Sequence, residues 1–294
     1  MLRRVDKRME EKVFRLTDFN LAIRTPFSIK ITTESKSFLI SNTNERDIQL
    51  EFECTEKLPK LPKEGFWRSD RYYTQLGETS AMYIRALPTD EPYAMVQYDS
   101  NDFVKCFFVE KKELINPEMH FIWNIIGLEQ LMLRRHALIL HASFIRWNEK
   151  GILFSAPSGI GKSTQANLWH QHLGADIING DRAGMRKKDG RWKAYGLPCA
   201  GSSRIYHNES AVLNAIVVLE QSSNNSISRL GQADAMIRLL PEFSLYRWDT
   251  RFMNKAMDLI AEIVEEVPVY LLKCRPDAQA VQILREMIEK EENK

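Results

Sequence analysis

The sequence predicts a mixed α/β protein in which a β-rich N-terminal region, residues 1–116, precedes an α/β domain, residues 117–294. Three observations predict this class. Between residues 12 and 110, short runs of alternating apolar and polar residues are separated by turn residues, which is typical of strands. From about residue 137, strand patterns alternate with helical patterns, which is typical of an α/β domain. Near the start of this second half, a strand pattern leads directly into a glycine-rich segment and then a helix.

The first half consists mostly of short runs with strand character and contains one clear loop. The loop is LPKLPKEG, because its two prolines interrupt any strand pattern. After these runs, residues 117–136 have the apolar spacing of a single helix, with Gly127 in its middle, and this helix could pack with either half of the chain. Examples of the runs with strand character are FSIKIT, SFLIS, IQLEFEC, AMYIRAL and AMVQY.

The second half predicts strands and helices in alternation. ALILHASFIRW and ILFS are strands joined by a turn at NEKG, and the helix TQANLWHQHL stops at Gly174, a residue suited to end a helix. The Asp-Gly pair in MRKKDGRWKAYG favours a hairpin. The remaining elements are the strands DIIN, NAIVVLEQ and VYLLKC, the helices QADAMIRLL and NKAMDLIAEIVEEV, and a last helix from Pro276.

Composition argues against several classes of protein. The 41 basic and 39 acidic residues leave a formal net charge of +2, which favours neither a nucleic acid nor a membrane surface as partner. No apolar run approaches the roughly 20 residues of a membrane helix, and the first residues lack the apolar core of a signal peptide. The four cysteines form no CxxC pair, which argues against a zinc site. We expect no nucleic acid partner, no membrane partner and a cytoplasmic location.

The segment SAPSGIGKST carries the strongest motif of the chain. Ala156 opens a pattern of one small residue, four further residues and then Gly-Lys-Ser; alanine replaces the usual glycine and is acceptable there if its φ stays negative. Glycines let consecutive N–H groups converge on phosphate oxygens at the positive end of the following helix. Lys162 would reach the terminal phosphates, and the Ser163 hydroxyl would ligate Mg²⁺. The predicted nucleotide-binding residues are Ser158, Gly159, Ile160, Gly161, Lys162, Ser163 and Thr164.

The unit HASFIRWNEKGILFSAPSGIGKST resembles the catalytic domain of HPr kinase/phosphorylase. In that family, too, a histidine on a strand precedes a hairpin and a phosphate-binding loop, and phosphoenolpyruvate carboxykinase is a more distant relative. The segments NGDR, YGLPCAGSS and VPVYLLKCRPD are similar to those of smaller kinases of this superfamily, some of which are thought to phosphorylate serine in peptides or as a free amino acid. The resemblance implies an α/β P-loop catalytic domain of the HPr kinase/phosphoenolpyruvate carboxykinase type.

The resemblance also implies roles for individual residues. His141, Lys162 and Asp181 would be catalytic, and Ser163 and Asp181 would ligate Mg²⁺ or Mn²⁺. Hairpin geometry supports the position of His141 independently, since two antiparallel arms of comparable length bring the start of the first strand near the end of the second. We therefore expect the His141 ring at the mouth of the loop, facing the γ-phosphate from the side opposite Lys162.

The chain departs from the family pattern at the catalytic acid. HPr kinase and the carboxykinase carry two adjacent aspartates, whereas this chain reads Asn179, Gly180, Asp181 and Arg182. Kinases typically use one carboxylate to hold Mg²⁺ and another to accept the hydroxyl proton. Asp181 could do either, or it could be an aspartate that stabilises a turn beside glycine. His141, without the resemblance, could be a hydrogen-bonded residue of a half-buried strand.

Other residues near these motifs have a functional and a structural interpretation. Arg182 could pair with phosphate or with a neighbouring acid, and Arg275 could approach the nucleotide or be surface charge. The loop of Gly201, Ser202 and Ser203 could contact substrate or be an ordinary turn. Trp169, His170 and His172, on the helix after the loop, are interpreted as packing and surface residues.

The sequence thus predicts a kinase that uses ATP, or another nucleoside triphosphate, to phosphorylate a hydroxyl. The acceptor would be a serine in a peptide or protein, free serine, or a small alcohol, and the chain could form a homo-oligomer as HPr kinases do. One alternative is a nucleotide-binding regulator or NTPase with little transferase activity. Another is a small-molecule enzyme whose β-rich region forms part of the substrate pocket.

Overall fold

The computed structural model describes residues 9–41, 43–76, 79–99, 102–109, 117–199 and 201–292, without the side chains of residues 202 and 292. It is a mixed α/β structure with two large sheets. The chain divides into two compact units, Met1–Leu128 and Glu129–Lys294. The boundary that the sequence predicts, after residue 116, stays a prediction; the division into compact units falls at Leu128, where the second of two short helices begins.

The first unit is built on a nine-stranded sheet. In this sheet β2 runs parallel to β4 and β4 runs parallel to β9, while the other neighbours are antiparallel. The strand order is β3-β1-β2-β4-β9-β8-β7-β6-β5. The elements are β1 (Glu10–Leu16), β2 (Phe19–Thr25), α1 (Thr33–Lys36), β3 (Leu39–Ile40), β4 (Ile48–Thr55), β5 (Gly65–Arg68), β6 (Arg71–Leu76), β7 (Thr79–Ile84), β8 (Ala94–Tyr98), β9 (Phe103–Val109) and α2 (Met119–Ile125).

Two of the runs that the sequence analysis names as strands in this half differ from the structure. FSIKIT forms no strand; its described pairing is a single bridge between Lys30 and Glu118. The preceding residue is Pro26, which has no N–H to donate to a continuing ladder. SFLIS contributes only the two residues of β3. Alternation of apolar residues alone therefore does not show whether a segment has a neighbouring strand to pair with.

The single helix predicted over residues 117–136 is two helices. α2 ends at Ile125, and α3 (Leu128–Arg134) begins after Gly127. Gly127 has a φ of 60°, a left-handed conformation that glycine adopts without steric cost and that ends a helix. The apolar spacing continues across this break, so the sequence pattern did not reveal it.

The second unit contains an eight-stranded sheet with helices packed against it. Its strand order is β11-β10-β13-β14-β15-β17-β16, β12 pairs with β10, and β11 also pairs with β15 in parallel. The elements are β10 (Ala137–Trp147), β11 (Lys150–Ser155), α4 (Lys162–Leu173), β12 (Asp176–Asn179), β13 (Arg182–Lys188), β14 (Arg191–Gly196), β15 (Ser210–Gln221), β16 (Ser226–Arg229), α5 (Gln232–Leu239), α6 (Thr250–Glu266), β17 (Val269–Cys274) and α7 (Ala278–Glu292), with short 3-10 helices at Gly201–Ser203 and Leu240–Glu242.

The turns of this unit follow the sequence closely. Asn148 and Glu149 both have positive φ, as a two-residue turn between β10 and β11 requires. Asp189 and Gly190 form the predicted hairpin turn with φ of 52° and 74°. Helix α4 ends at Gly174 in the left-handed conformation, with its N–H bonded to the His170 carbonyl.

The core of this unit lies under the strands that carry the glycine-rich loop. Trp169 on α4 is fully buried and contacts the rings of Trp147 and Phe154 from β10 and β11. Leu272 and Leu284, from β17 and α7, belong to the same cluster. This packing fixes α4 against the hairpin and so holds the loop between them in place. Across the described ranges, no helix has both the length and the apolar character needed to cross a membrane.

Candidate functional site

The glycine-rich loop connects the end of β11 to the start of α4, as the sequence predicts. Gly159 and Gly161 have φ of 85° and 125°, values that side-chain-bearing residues rarely adopt. No side-chain hydrogen bond caps the described start of α4, so the first backbone N–H groups of the helix lack helical acceptors. These N–H groups lie at the positive end of the helix dipole, and proteins commonly bind anions at such helix starts.

Lys162 lies at the first position of α4 and is buried, with 7% of its surface exposed. Its Nζ donates hydrogen bonds to the carbonyl oxygens of Ala156 at 2.7 Å and Pro157 at 3.3 Å. Burial lowers the pKa of this ammonium, while Glu242 and Asp181 act in the opposite direction. The lysine therefore closes the loop on itself and offers a desolvated cation beside it.

Asp181 is held by a turn that begins at Asn179, a fully buried residue. The Asn179 side-chain oxygen accepts the backbone N–H groups of Asp181 and Arg182 at 2.9 and 3.0 Å. Its amide donates to the carbonyl oxygens of Leu197 and Cys199 at 2.9 and 3.1 Å. The buried amide thus fixes where the chain turns after β12, and with it the direction of the Asp181 side chain.

A second constraint on Asp181 is the loop that follows β14. Gly201 has a φ of 45°, and a Cβ placed there would lie 2.7 Å from the Asp181 carboxyl carbon. In the same way, a Cβ on Gly180 would lie 2.2 Å from the Ser203 hydroxyl. Glycine is required at both positions because the loop packs directly on the turn that carries Asp181.

His141 lies on β10 next to the base of the loop. Its carbonyl accepts a hydrogen bond from the Ser155 hydroxyl at 3.0 Å, and Ala142 pairs with Ser155 across the hairpin. The ring lies between two carboxylates, with Nδ1 2.9 Å from Glu242 Oε2 and Nε2 3.5 Å from Asp181 Oδ1. The antiparallel hairpin therefore brings the histidine to the loop, as its arm lengths indicate.

Charges in this cluster shift one another's ionisation. The pKa of His141 is raised chiefly by its hydrogen bond with Asp181 and further by the one with Glu242. Burial and the charge of Lys162 act in the opposite direction. The same contact with His141, helped by Arg182 and Lys162, lowers the pKa of Asp181 in spite of burial. Asp181 is therefore ionised at neutral pH, as both a metal ligand and a general base must be.

A pocket of about 270 Å³ brings most of the predicted residues together. Ile160 is the exception among the predicted nucleotide-binding residues, because its side chain packs against the core cluster and its carbonyl accepts from Gln221. The pocket is lined by His141, Ser158, Gly159, Gly161, Lys162, Ser163, Thr164, Gly180, Asp181 and Ser203.

The other candidate residues divide between the pocket and the surface. Arg182 lies 3.5 Å from Asp181, so it pairs with a neighbouring acid. Arg275 pairs with Asp277 at 3.0 Å and does not line the pocket. Ser203 lines the pocket, whereas the side chain of Ser202 lies outside the described part of the chain. Trp169 is core, and His170 and His172 are exposed on the same helix.

Two residues of the site have roles that the sequence does not reveal. Asn179 was visible as part of NGDR, but its buried amide role depends on carbonyls from a later loop. Glu242 follows α5 in the segment LPEFS, which carries no local signal of function. It reaches His141 only because Phe243 forms a bridge with Leu140 on β10, and such non-local pairing leaves no pattern in the sequence.

Comparison with known proteins finds a matching family and similar solved structures. The Hpr(Ser) kinase/phosphatase from Coxiella burnetii matches with 13% identity, 53% coverage of this chain, 94% coverage of that chain and a TM-score of 0.32. At this level of likeness function does not transfer. No curated protein matches the sequence. Residues 106–285 match the family described as SynChlorMet cassette protein ScmC. Because this match spans more than half of the chain, the protein belongs to the ScmC family.

Proposed function

We propose that the chain is a kinase that transfers the γ-phosphate of ATP, or of another nucleoside triphosphate, to a hydroxyl group. The acceptor would be a serine in a peptide or protein, free serine, or a small alcohol. One observation carries the proposal: the uncapped start of α4, with the buried Lys162, faces the ionised Asp181 and His141 in a single pocket. A phosphate cradle with no facing carboxylate would suit binding alone, whereas in this pocket a carboxylate that could act as a base faces the proposed anion site.

The residues present also fit a divalent cation. The Ser163 hydroxyl and the Asp181 carboxylate line the same pocket, and both are oxygen donors of the kind that Mg²⁺ and Mn²⁺ prefer. Within the described ranges, no group of three or more His, Cys, Asp and Glu side chains could hold a metal by itself. Such a cation would complete its coordination with phosphate oxygens and water, and it would supply positive charge to the β- and γ-phosphates.

The chain's own residues account for the remaining chemistry. Backbone N–H groups at the start of α4, together with Lys162, would bind the phosphates and stabilise charge on the γ-phosphoryl oxygens. The acceptor oxygen would form its bond to the γ-phosphorus as the bond to the bridging oxygen breaks, and the electron pair would leave with the nucleoside diphosphate. Asp181 would accept the hydroxyl proton, unless its main task is to hold the cation.

A transfer assay with labelled ATP and Mg²⁺ tests this function against free serine, serine-containing peptides and small alcohols. We expect the wild type to label at least one acceptor class. Asp181→Asn should reduce transfer by at least about 100-fold, because an amide cannot act as a base. Nucleotide affinity should stay nearly intact if Asp181 is the base. If it is chiefly a metal ligand, the variant should also need more Mg²⁺.

The matched control is Asp176→Asn, which changes an aspartate on β12 that pairs with Arg146 on the surface. This variant should transfer at the wild-type rate. Release of free phosphate with no labelled acceptor would favour the alternative, an NTPase or nucleotide-binding regulator. If Asp181→Asn changed neither transfer nor the Mg²⁺ requirement, Asp181 would be only a turn residue. The kinase proposal, which depends on this carboxylate, would then be wrong.

A further inference from the structure

Glu242 is a carboxylate at the edge of the site that the proposed chemistry does not yet use. Its side chain is only 11% exposed, and its Oε2 lies 2.9 Å from His141 Nδ1. Burying a carboxylate is costly unless a charged or hydrogen-bonding partner offsets the loss of water. Lys162 also lies near enough for its pKa to respond to the charge of Glu242. Glu242 therefore belongs electrostatically to the cluster around the loop.

The backbone holds Glu242 opposite His141. The residue after it, Phe243, is buried and forms an antiparallel bridge with Leu140. Ser244 donates its N–H to the Ile139 carbonyl at 2.9 Å. The segment after α5 is thus joined to β10 by one antiparallel bridge and one further hydrogen bond, which fix the position of the glutamate next to the histidine ring.

The chemistry of the three side chains determines how the ring is held. An ionised carboxylate can only accept hydrogen bonds, so the contact with Glu242 requires that Nδ1 carry the hydrogen. With Nδ1 engaged, the opposite edge of the ring, at Nε2, is directed to Asp181 and the pocket. A partner on the outer nitrogen of a functional histidine commonly sets its orientation and tautomer in this way.

We propose that Glu242 is a positioning residue for phosphoryl transfer: it accepts the Nδ1 hydrogen of His141 and holds the Nε2 edge against Asp181. Glu242 thereby supplies a second carboxylate to the cluster, although it comes from a distant segment of the chain and not from the turn that carries Asp181. The groups that face His141 are Asp181 and the adjacent Arg182, Lys162 from α4, and Glu242. This role rests on the proposed kinase function.

A double-mutant cycle in the full chain tests the proposal. Glu242→Ala should lower kcat by about 10- to 100-fold, as loss of an outer partner commonly does. The KM for nucleotide should change less than about threefold, because Glu242 acts through the histidine and removes no binding contact. The double variant Glu242→Ala/His141→Ala should be no slower than His141→Ala alone, since Glu242 acts only through that ring.

Two further variants separate positioning from a structural role. Glu242→Gln keeps an acceptor oxygen in the same place, so it should retain kcat within about fivefold of the wild type if orientation is what matters. Glu262→Ala removes a surface glutamate that pairs with Lys187 and should leave kcat unchanged. If Glu242→Ala does not fold, Glu242→Leu, which fills the same space without an acceptor oxygen, replaces it in the kcat cycle with His141→Ala.

Several outcomes would overturn the positioning role. Effects of Glu242→Ala and His141→Ala that multiply in the double variant would mean that the two side chains act independently. A rise in KM with unchanged kcat would assign Glu242 to binding instead. A wild type that binds no nucleotide would remove the kinase proposal, and the positioning role with it. If the wild type and Glu242→Ala transferred phosphate at the same rate, the positioning role alone would be overturned and the kinase proposal would stand.

Discussion

Asp181 and His141 stabilise each other's charged forms, and the stability of the protein should depend on pH for that reason. The pKa of Asp181 is lowered, chiefly by His141. The stabilisation that ionised Asp181 gives the folded protein is therefore complete above the unfolded pKa of about 3.9, and it is lost as pH falls through the folded pKa. The pKa of His141 is raised, chiefly by Asp181. The stabilisation that protonated His141 gives the folded protein is therefore complete below the unfolded pKa of about 6.5, and it is lost as pH rises through the folded pKa.

We therefore predict that Asp181→Asn destabilises the protein most between about pH 4 and pH 6.5. Above that window the difference in melting temperature from the wild type should shrink, because His141 loses its proton in both proteins. Thermal denaturation of both proteins from about pH 4 to pH 8, with nucleotide and divalent metal removed, measures the effect.

The control is Asp249→Ala, which removes the cap of α6. The Asp249 side chain accepts hydrogen bonds from the backbone N–H groups of Arg251 and Phe252, and backbone N–H groups do not titrate. Its destabilisation, about 1 kcal/mol for a lost cap, should stay constant from pH 6 to pH 8. A constant difference for Asp181→Asn over the same range would mean that the pair is not ionic in the folded protein.

Individual residues were predictable to the extent that their roles are local. The loop from Ser158 to Thr164 and the hairpin that positions His141 are encoded in contiguous segments, where glycine conformation and antiparallel pairing dictate the result. Glu242 could not be found in this way, because its role depends on a bridge between residues about 100 positions apart in the chain.

Elements of the second unit were more predictable than those of the first. Strong turns and long apolar strands identified β10, β11, the β13–β14 hairpin and β17. In the first unit, FSIKIT has strand alternation but follows Pro26 and pairs only at Lys30. Whether an alternating segment joins a sheet depends on a neighbouring strand with free hydrogen-bonding groups, and local alternation does not report that.

The loop after β14 offers a test of how elements position Asp181. Gly201→Ala would place a methyl group 2.7 Å from the Asp181 carboxyl carbon. It would also force alanine into a left-handed backbone conformation. We predict a loss of transfer activity of at least about 10-fold, because a displacement near 1 Å at a catalytic group commonly costs that much or more.

Gly190→Ala is the matched control for backbone strain. Gly190 has a φ of 74°, and no described atom lies within 4 Å of a Cβ placed there. Both variants should lose about 1–2 kcal/mol of stability from the left-handed conformation, but only Gly201→Ala should lose transfer activity. Equal activity of the two variants would indicate that the Gly201 loop does not position Asp181.

The whole molecule combines two units, and the candidate site is local to one of them. Every residue that lines the described pocket lies between His141 and Ser203, in the unit Glu129–Lys294. The family match over residues 106–285 covers most of this unit and little of the nine-stranded sheet. Acceptor specificity should therefore be sought first among the loops around this pocket, such as the one that carries Ser203.

Calorimetric titration with ATP and Mg²⁺ tests the central claim most directly, namely that the loop before α4 binds nucleotide phosphates through Lys162. We predict saturable binding by the wild type and about 10- to 100-fold weaker binding by Lys162→Ala, which removes a charge-assisted contact of about 1.5–3 kcal/mol. Lys187→Ala, which removes a surface lysine paired with Glu262, should bind like the wild type. Equal affinity of the wild type and Lys162→Ala, or no binding by the wild type, would contradict the account.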